Sequence, residues 1–504
     1  MVQEVVIASF ILVSLHEMMG GGAASPAEQG WLAWTLAVVP TLAMGLMCHL
    51  WIAALGRRLD RSGDVRGVYL AERIMLASRF FALAILGFNV LALDWVGMVQ
   101  GAIGRRVLID TLVATSPVLI TVLAGWWWFY PIEVRLREAS LVRSLDEGLE
   151  VQPTPSRLGY VFFWARHTMI PVLLPIVCIT TWVEALEHSW AWWPLLASMG
   201  EGGRLAIQIA GIAGFLMVVP LILRHVWDTT AMPAGEVRQR LEAVCLRNGV
   251  RVREHLLWRT GGTIHNAAVL GIVARARYIL VTDAMMAHMP GEYLEAVAAH
   301  EVGHVRLRHL AWLALATLAS VLASVVGLAT AAGTALSWFL GLAWAEQKFG
   351  AENGWTIEQV ENLHGLLEIA VSLGSLVAAF VVFGWVSRRF EWQADAFAAR
   401  DLSRASGDIE RITPQGAECM RGALSRVAAY NGIPLGRFMW RHGSIRTRQL
   451  RLARLIGVPG EAIPIDRDVR IIKWITLVIL AALIAMAVWR PDLAGFESQG
   501  ATPG

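Results

Sequence analysis

Long apolar stretches separated by short polar segments dominate the chain. About 20 apolar residues in a helix cross the roughly 30 Å hydrocarbon core of a bilayer, because a helix satisfies its own backbone hydrogen-bonding groups there. Eight stretches approach this length: 31–55, 80–99 (interrupted by Asp94), 111–130, 161–183, 205–223, 310 to about 330, 369–386 and 471–489. The run 5–15 is shorter and predicts a short membrane or interfacial helix. We therefore expect an integral membrane protein, mainly α-helical, with about eight transmembrane helices.

The composition agrees with a bilayer location. Hydrophobic residues make up 56% of the chain and the mean hydropathy is +0.53, whereas soluble proteins are about 45–50% apolar. The net charge of +3 is small, and the chain has no basic tract with interleaved aromatic residues, so nucleic-acid binding is excluded as a function. Four scattered cysteines without CxxC spacing predict neither a disulfide framework nor a cysteine zinc site.

Basic residues predict the orientation in the membrane. If the stretch 31–55 runs from outside to inside, only five of the 43 Lys and Arg residues lie outside. These are Arg105, Arg106, Arg204, Lys348 and Arg490. Because cytoplasmic loops carry the excess of Lys and Arg, both long polar segments are expected on the cytoplasmic side. Only two of the 43 basic residues are lysines, a bias that we associate with high-GC bacterial genomes, and the expected location is a bacterial inner membrane.

The same pattern predicts the domain organisation. Residues 1–223 are expected to form an N-terminal membrane domain with about five spans. Two cytoplasmic parts, 224–309 and 387–470, flank a transmembrane hairpin at 310–386. A last span follows at 471–489, and the tail 490–504 is expected to be disordered.

The first candidate for chemistry is the segment EAVAAHEVGH, in which His300 and His304 are four residues apart. On a helix this spacing places both imidazoles on one face, where they can bind one zinc ion, while Glu301 projects beside them toward a metal-bound water. The motif predicts a zinc site with Glu301 as general base. The alternative is a helix with two solvated histidines.

A second segment supplies the missing ligand type. In SRRFEWQADAFAARDL, Glu391 and Asp395 are also four residues apart and share a helical face. Glu391 can complete a His, His, Glu ligand set, and Asp395 can accept a hydrogen bond from a ligand imidazole. The alternative is an ordinary charged, solvated helix.

At these residues the sequence resembles the family of membrane zinc metallopeptidases that includes HtpX-type proteases and CAAX prenyl endopeptidases. Four signatures occur in order: NAAVLG at 266–271, EAVAAHEVGH, SRRFEWQADAFA, and HGSIRTR at 442–448. The resemblance covers about 251–454. It implies a small cytoplasmic α+β zinc-metallopeptidase domain, one catalytic Zn²⁺ held by His300, His304 and Glu391, Glu301 as general base, and Asp395 as a partner that orients a ligand.

The resemblance also implies a substrate-binding strand. Family members use the strand with the Asn-Ala signature as an exposed edge that pairs with an extended peptide, which here nominates Asn266, Ala267, Ala268 and Val269. The alternative is a purely structural strand that precedes residues 278–282 in a small sheet.

The last signature departs from the family, because Gly443 stands where a proline usually follows the histidine. His442 is nominated as a donor to the developing oxyanion and Arg448 as an ion-pair former that orders the site. Arg448 belongs to an arginine-rich helix with Arg446, Arg451 and Arg454, whose alternative role is a solvated face near anionic lipid. His265, His288 and His309 lack ligand spacing and are expected to have structural or solvated roles.

Together these features predict a membrane-embedded zinc endopeptidase, with membrane-associated or misfolded polypeptides as substrates and the active site at the cytoplasmic membrane boundary. The alternative from another class is a membrane binding, transport or sensor protein with a structural or regulatory zinc site. A ligand set that leaves one zinc position open favours the enzyme.

Overall fold

The computed structural model describes residues 2–18, 31–63, 66–146, 154–190, 192, 198–340, 357–408 and 410–489. The protein divides into two compact units, Met1–Thr229 and Thr230–Gly504. The tail 490–504, which we predicted to be disordered, lies outside the described residues, as does Lys348.

The first unit is a group of helices. They are α1 (Val2–Met18), α2 (Trp31–Ser62), α3 (Arg66–Leu93), α4 (Trp95–Ile103), α5 (Ile109–Asp146), α6 (Arg157–Trp164), α7 (Ile170–Ser189) and α8 (Glu201–Val226). A π-helical turn at Ala165–Met169 joins α6 and α7, so that Arg157–Ser189 forms one apolar crossing. This unit holds five of the eight helices in the described part of the chain that are long and apolar enough to span a membrane.

The predicted span 80–99 was wrong in its bounds. Helix α3 begins at Arg66 and ends at Leu93, because Asp94 takes a left-handed backbone conformation with φ of 48°. The Asp94 carboxylate then accepts a hydrogen bond from the backbone N–H of Gly97 and caps α4. The prediction treated Asp94 as an interruption within one span, because the residues on both sides of it are apolar.

The second unit combines helices with a small sheet. Its helices are α9 (Glu236–Arg247), α10 (Asp283–His288), α11 (Gly291–Arg306), α12 (His309–Leu340), α13 (Ile357–Ala405), α14 (Pro414–Tyr430), α15 (Ile445–Ala453) and α16 (Pro464–Trp489). Three of them contain the remaining candidate spans, at His309–Leu336, Gly365–Ala405 and Pro464–Met486. The prediction of eight membrane helices with a small α+β part is confirmed.

The sheet has four strands in the order β1-β2-β4-β3: β1 (Thr229–Ala231), β2 (Glu254–Trp258), β3 (Ala267–Leu270) and β4 (Tyr278–Thr282). Strand β2 pairs with β4 in parallel, and β3 pairs with β4 antiparallel. All five residues of β4 are buried, as expected for a strand between two neighbours and under helices. Strand β3 is at the edge of the sheet.

Two long helices of the second unit connect the candidate spans to the candidate site. Helix α13 runs unbroken for 49 residues from its apolar part to the segment with Glu391 and Asp395. Helices α11 and α12 are separated at Arg308, whose φ of 56° ends one helix and redirects the chain into the next. The apolar stretch after residue 310 continues as one helix to Leu340.

Candidate active site and metal centre

Helix α11 positions both histidines of the HEVGH segment. It begins directly after Pro290 and buries one face in the core of the second unit, with Leu294, Ala298 and Val302 fully enclosed. The rings of His300 and His304 lie one turn apart, and their Nε2 atoms are 3.2 Å from each other. The two nitrogens therefore point to the same place.

Helix α13 brings Glu391 to this place. A Cβ atom on Gly303 would lie only 3.0 Å from the Phe397 ring, so glycine lets the two helices approach closely. The Glu391 carboxylate oxygens lie 3.6 Å from Nε2 of His300 and 3.7 Å from Nε2 of His304. Among the residues that the structure describes, these three form the one group of His, Cys, Asp and Glu side chains with donor atoms mutually within 4.8 Å.

The donor set fits zinc. Zinc bonds of about 2.0–2.1 Å in a tetrahedron place the ligand atoms about 3.3 Å apart, which is close to the three separations found here. Two imidazoles and one carboxylate also form a known catalytic zinc set, in which three protein groups leave one position for water or substrate. His300, His304 and Glu391 are thus the residues that would hold the ion.

Behind the ligands, Asp395 and Arg448 form a buried ion pair. Arg448 donates from Nε and Nη2 to the two Asp395 oxygens at 2.8 and 2.6 Å, and its Nη1 lies 3.2 Å from Glu391. Asp395 in turn lies 3.0 Å from Nδ1 of His300. Only 6% of Arg448 is exposed, whereas Arg446, Arg451 and Arg454 are exposed on the same segment. Arg448 is therefore the one arginine of this group that faces the site.

Glu301 lies beside the ligands and contacts strand β3. Burial and the nearby Glu391 charge raise the pKa of Glu301 to about 7, while His300 opposes this shift. A hydrogen bond from the Val269 backbone also reaches the Glu301 carboxylate. A carboxyl group with this pKa can both accept and donate a proton near neutral pH.

The two imidazoles have different protonation preferences. Burial would lower the pKa of His300, but hydrogen bonds to Asp395 and Glu391 raise it to about 10. Burial and the His300 charge lower the pKa of His304 well below its usual value. The carboxylates Asp395 and Glu391 outweigh burial and raise the pKa of Arg448, which stays charged.

His442 lies at the open side of this cluster. Its Nδ1 is 2.9 Å from Glu391, and 43% of its side chain is exposed. The next residue, Gly443, has φ of 74° and donates its N–H to the Met439 carbonyl. Proline has φ near −65° and no N–H, so the proline usual in the family could not occupy this turn.

Comparisons with known proteins show which family the segment around these residues resembles. Residues 233–414 match the profile of Peptidase family M48. This segment of the chain is therefore similar to the M48 peptidases. Three of the four signatures lie inside the matched segment, and the fourth, which begins at His442, lies beyond it. The resemblance to HtpX-type proteases is thereby confirmed.

Two similar proteins add detail. A curated protein named "Protease HtpX homolog 1", from Streptomyces coelicolor, is 26% identical over 199 residues. That alignment spans 36% of this chain and 59% of the relative's length. A crystal structure of Ste24p from S. mikatae aligns over 85% of this chain and all of that chain, with 11% identity and a TM-score of 0.35, which is too low to establish a common fold.

The matched segment contains a residue close to the site that the sequence did not single out. His309 was expected to be structural or solvated, but its Nδ1 lies 2.9 Å from Nδ1 of the ligand His304. Its Nε2 lies 2.9 Å from the amide oxygen of Gln393. Spacing did not predict this contact, because His309 follows the break at Arg308 and starts a different helix. His265 and His288 instead lie beside each other and Tyr430.

The buried ion pair predicts a stability effect. Replacing Arg448 with Met leaves the Asp395 and Glu391 carboxylates buried without their cation, so the free energy of unfolding of the metal-free protein should fall by about 3–5 kcal/mol. Arg448→Lys should recover part of the loss, because lysine keeps the charge but not the two-pronged geometry. Thermal unfolding in detergent after chelation measures both effects. Arg446→Met, an exposed neighbour, is the matched control, and equal melting temperatures for all variants would contradict the assignment.

Proposed function

We propose that this protein is a zinc-dependent endopeptidase that hydrolyses peptide bonds of membrane-associated or misfolded proteins at the cytoplasmic membrane boundary. The observation that carries the proposal is the convergence of His300, His304 and Glu391 on one point, with Glu301 on the same helix as the two histidines. The M48 match and the name of the Streptomyces relative support the same activity.

Each residue of the site is assigned a separate role in peptide-bond hydrolysis. When bound, zinc polarises a water molecule and lowers its pKa toward about 7. Glu301 accepts a proton from the attacking water as the water oxygen bonds to the carbonyl carbon. The C–N bond then breaks, and Glu301 passes the proton to the leaving amine nitrogen. His442, exposed at the open side, is assigned to donate a hydrogen bond to the carbonyl oxygen as negative charge develops there.

Strand β3 supports a binding mode for extended peptides. Thr282 donates its N–H to the Asn266 carbonyl, and Ala268 is opposite Leu280. Hydrogen-bonded pairs alternate along an antiparallel ladder, so the N–H groups of Ala267 and Val269 face the free edge. The Val269 backbone bond to Glu301 agrees with this alternation. A substrate strand that adds to Asn266, Ala267, Ala268 and Val269 would pass directly by the general base.

The location at the membrane boundary rests on helix continuity and charge. Helix α13 carries both a candidate span and Glu391 without a break, and His309 begins a span five residues after His304. The predicted excess of Lys and Arg on the polar segments supports a cytoplasmic orientation in a bacterial inner membrane.

Replacing the general base should separate chemistry from zinc binding. Glu301→Gln is expected to keep one zinc per chain but to reduce casein cleavage in detergent by about 10²–10⁴-fold, because the amide cannot carry the proton. Glu292→Gln, an exposed change on the same helix, is the control and should cleave like the wild type. Wild-type cleavage by Glu301→Gln would overturn the mechanism. A wild-type protein that binds zinc and cleaves nothing would favour the binding or sensor alternative.

The same assay tests orientation. Casein added to inverted membrane vesicles should be cleaved, whereas casein added to right-side-out vesicles should remain intact. The opposite result would place the site on the outer side.

Backbone pairing at β3 predicts which substrate changes matter. In a cleaved casein peptide, N-methylation of a backbone amide that pairs with β3 should lower kcat/KM about 2- to 10-fold, since one hydrogen bond contributes about 0.5–1.5 kcal/mol. Alanine replacements at the same positions should change kcat/KM much less. If side-chain changes dominate and N-methylation has no effect, substrates do not bind as an added strand.

A further inference from the structure

A chain of four polar side chains leads from the first turn of α16 to the ligand His304. The Asp466 carboxylate accepts a hydrogen bond from Nε2 of Gln393 at 2.6 Å. The Gln393 amide oxygen lies 2.9 Å from Nε2 of His309, and Nδ1 of His309 lies 2.9 Å from Nδ1 of His304. The chain thus contains three successive contacts, each within hydrogen-bond distance.

The chemistry of these groups allows one direction of donation. An ionised carboxylate only accepts hydrogen bonds, so Asp466 orients the Gln393 side chain. The amide nitrogen of Gln393 then faces Asp466, and its amide oxygen faces His309. That oxygen only accepts, so Nε2 of His309 must donate and Nδ1 of a neutral His309 must accept. Nδ1 of His304 must then carry the proton. The lone pair of His304 is left on Nε2, the atom that faces His300 and Glu391.

The middle of the chain is held rigidly and away from water. Only 3% of His309 and 6% of Gln393 are exposed. The His309 ring stacks on Phe390 with ring centroids 4.5 Å apart and planes inclined by 4°. Because His309 presents Nδ1 to the far nitrogen of His304, it lies behind the imidazole and not among the three converging donors.

The two ligand histidines are therefore supported differently. His300 has a carboxylate directly at its Nδ1, since Asp395 lies at 3.0 Å. In the described part of the site, no carboxylate contacts Nδ1 of His304 directly. That nitrogen is linked to the Asp466 carboxylate through two neutral side chains, His309 and Gln393. Metal-binding histidines depend on such outer contacts for tautomer and ring orientation.

We propose that Asp466 positions the zinc ligand His304 through Gln393 and His309, so that the N-terminal turn of α16 sets the tautomer of a ligand in α11. The three residues are positioning residues and do not contact the ion or the substrate. His309 begins α12, Gln393 lies on α13 and Asp466 lies in the first turn of α16, so the packing of three helices that contain candidate spans determines whether His304 is ready to bind. This inference rests on the zinc site of the proposed function.

The zinc affinity of the full-length protein in detergent, measured by competition with a chelator, tests the role of these polar side chains. His309→Phe keeps a flat ring against Phe390 but removes the acceptor, and affinity should fall about 10–100-fold. His309→Gln supplies an acceptor oxygen and should recover most of that loss, which a purely packing role of His309 would not predict.

Gln393→Leu and Asp466→Asn should each weaken zinc binding, with the smaller effect from Asp466→Asn. Asp468→Asn, an exposed carboxylate one half-turn further along α16, is the matched control and should bind zinc like the wild type.

Coupling within the chain gives a second readout. If His309 and Gln393 act as one unit, the double variant His309→Phe with Gln393→Leu should lose no more affinity than His309→Phe alone. The visible spectrum of the Co²⁺-substituted protein should change in His309→Phe and return toward that of the wild type in His309→Gln.

The outcomes separate this inference from the proposed function. If the wild-type protein binds no zinc, the proposed function fails and the inference fails with it. If the wild type binds zinc and His309→Phe, Gln393→Leu and Asp466→Asn bind it equally well, the positioning role is overturned while the zinc site stands. Losses that add in the double variant, with no recovery in His309→Gln, would also overturn it.

Discussion

Two carboxylates are buried on adjacent turns of one helix, and the site depends on the cation between them. Glu391 and Asp395 lie on the same face of α13, and Arg448 bonds to both from α15. An uncompensated buried carboxylate would be strongly destabilising or would take up a proton. Arg448 keeps both groups ionised, so that one can act as a metal ligand and the other can orient His300. This pair also joins α15 to α13, the helix that carries Glu391.

The connection between membrane helices and the site follows from the same geometry. Helix α13 contains a candidate span and Glu391 in one unbroken helix, and α12 and α16 reach the other side of the site through His309 and Asp466. Displacing any of these helices would change a contact that supports a ligand. A protease built this way would have its metal geometry set in part by how its spans pack.

The sequence predicted those parts of the site that depend on spacing within one helix. His300 with His304, and Glu391 with Asp395, follow from a separation of four residues, whereas the strand before residues 278–282 was expected from the family resemblance. The contact of His442 with Glu391 and the two hydrogen bonds from Arg448 to Asp395 depend on how separate elements meet. His309 was missed because the left-handed residue Arg308 turns the chain between two helices. Asp94 was expected to interrupt the apolar stretch 80–99, but the left-handed backbone by which it ends the helix is not predicted by hydropathy.

The central claim is that His300, His304 and Glu391 bind one zinc ion, and the most direct measurement is zinc X-ray absorption spectroscopy on the purified protein. The account predicts two imidazole nitrogens at about 2.0–2.1 Å and carboxylate or water oxygen at about 2.0–2.2 Å, with no sulfur. A shell of sulfur at about 2.3 Å, or an unchanged spectrum when Glu391 is replaced with alanine, would contradict it.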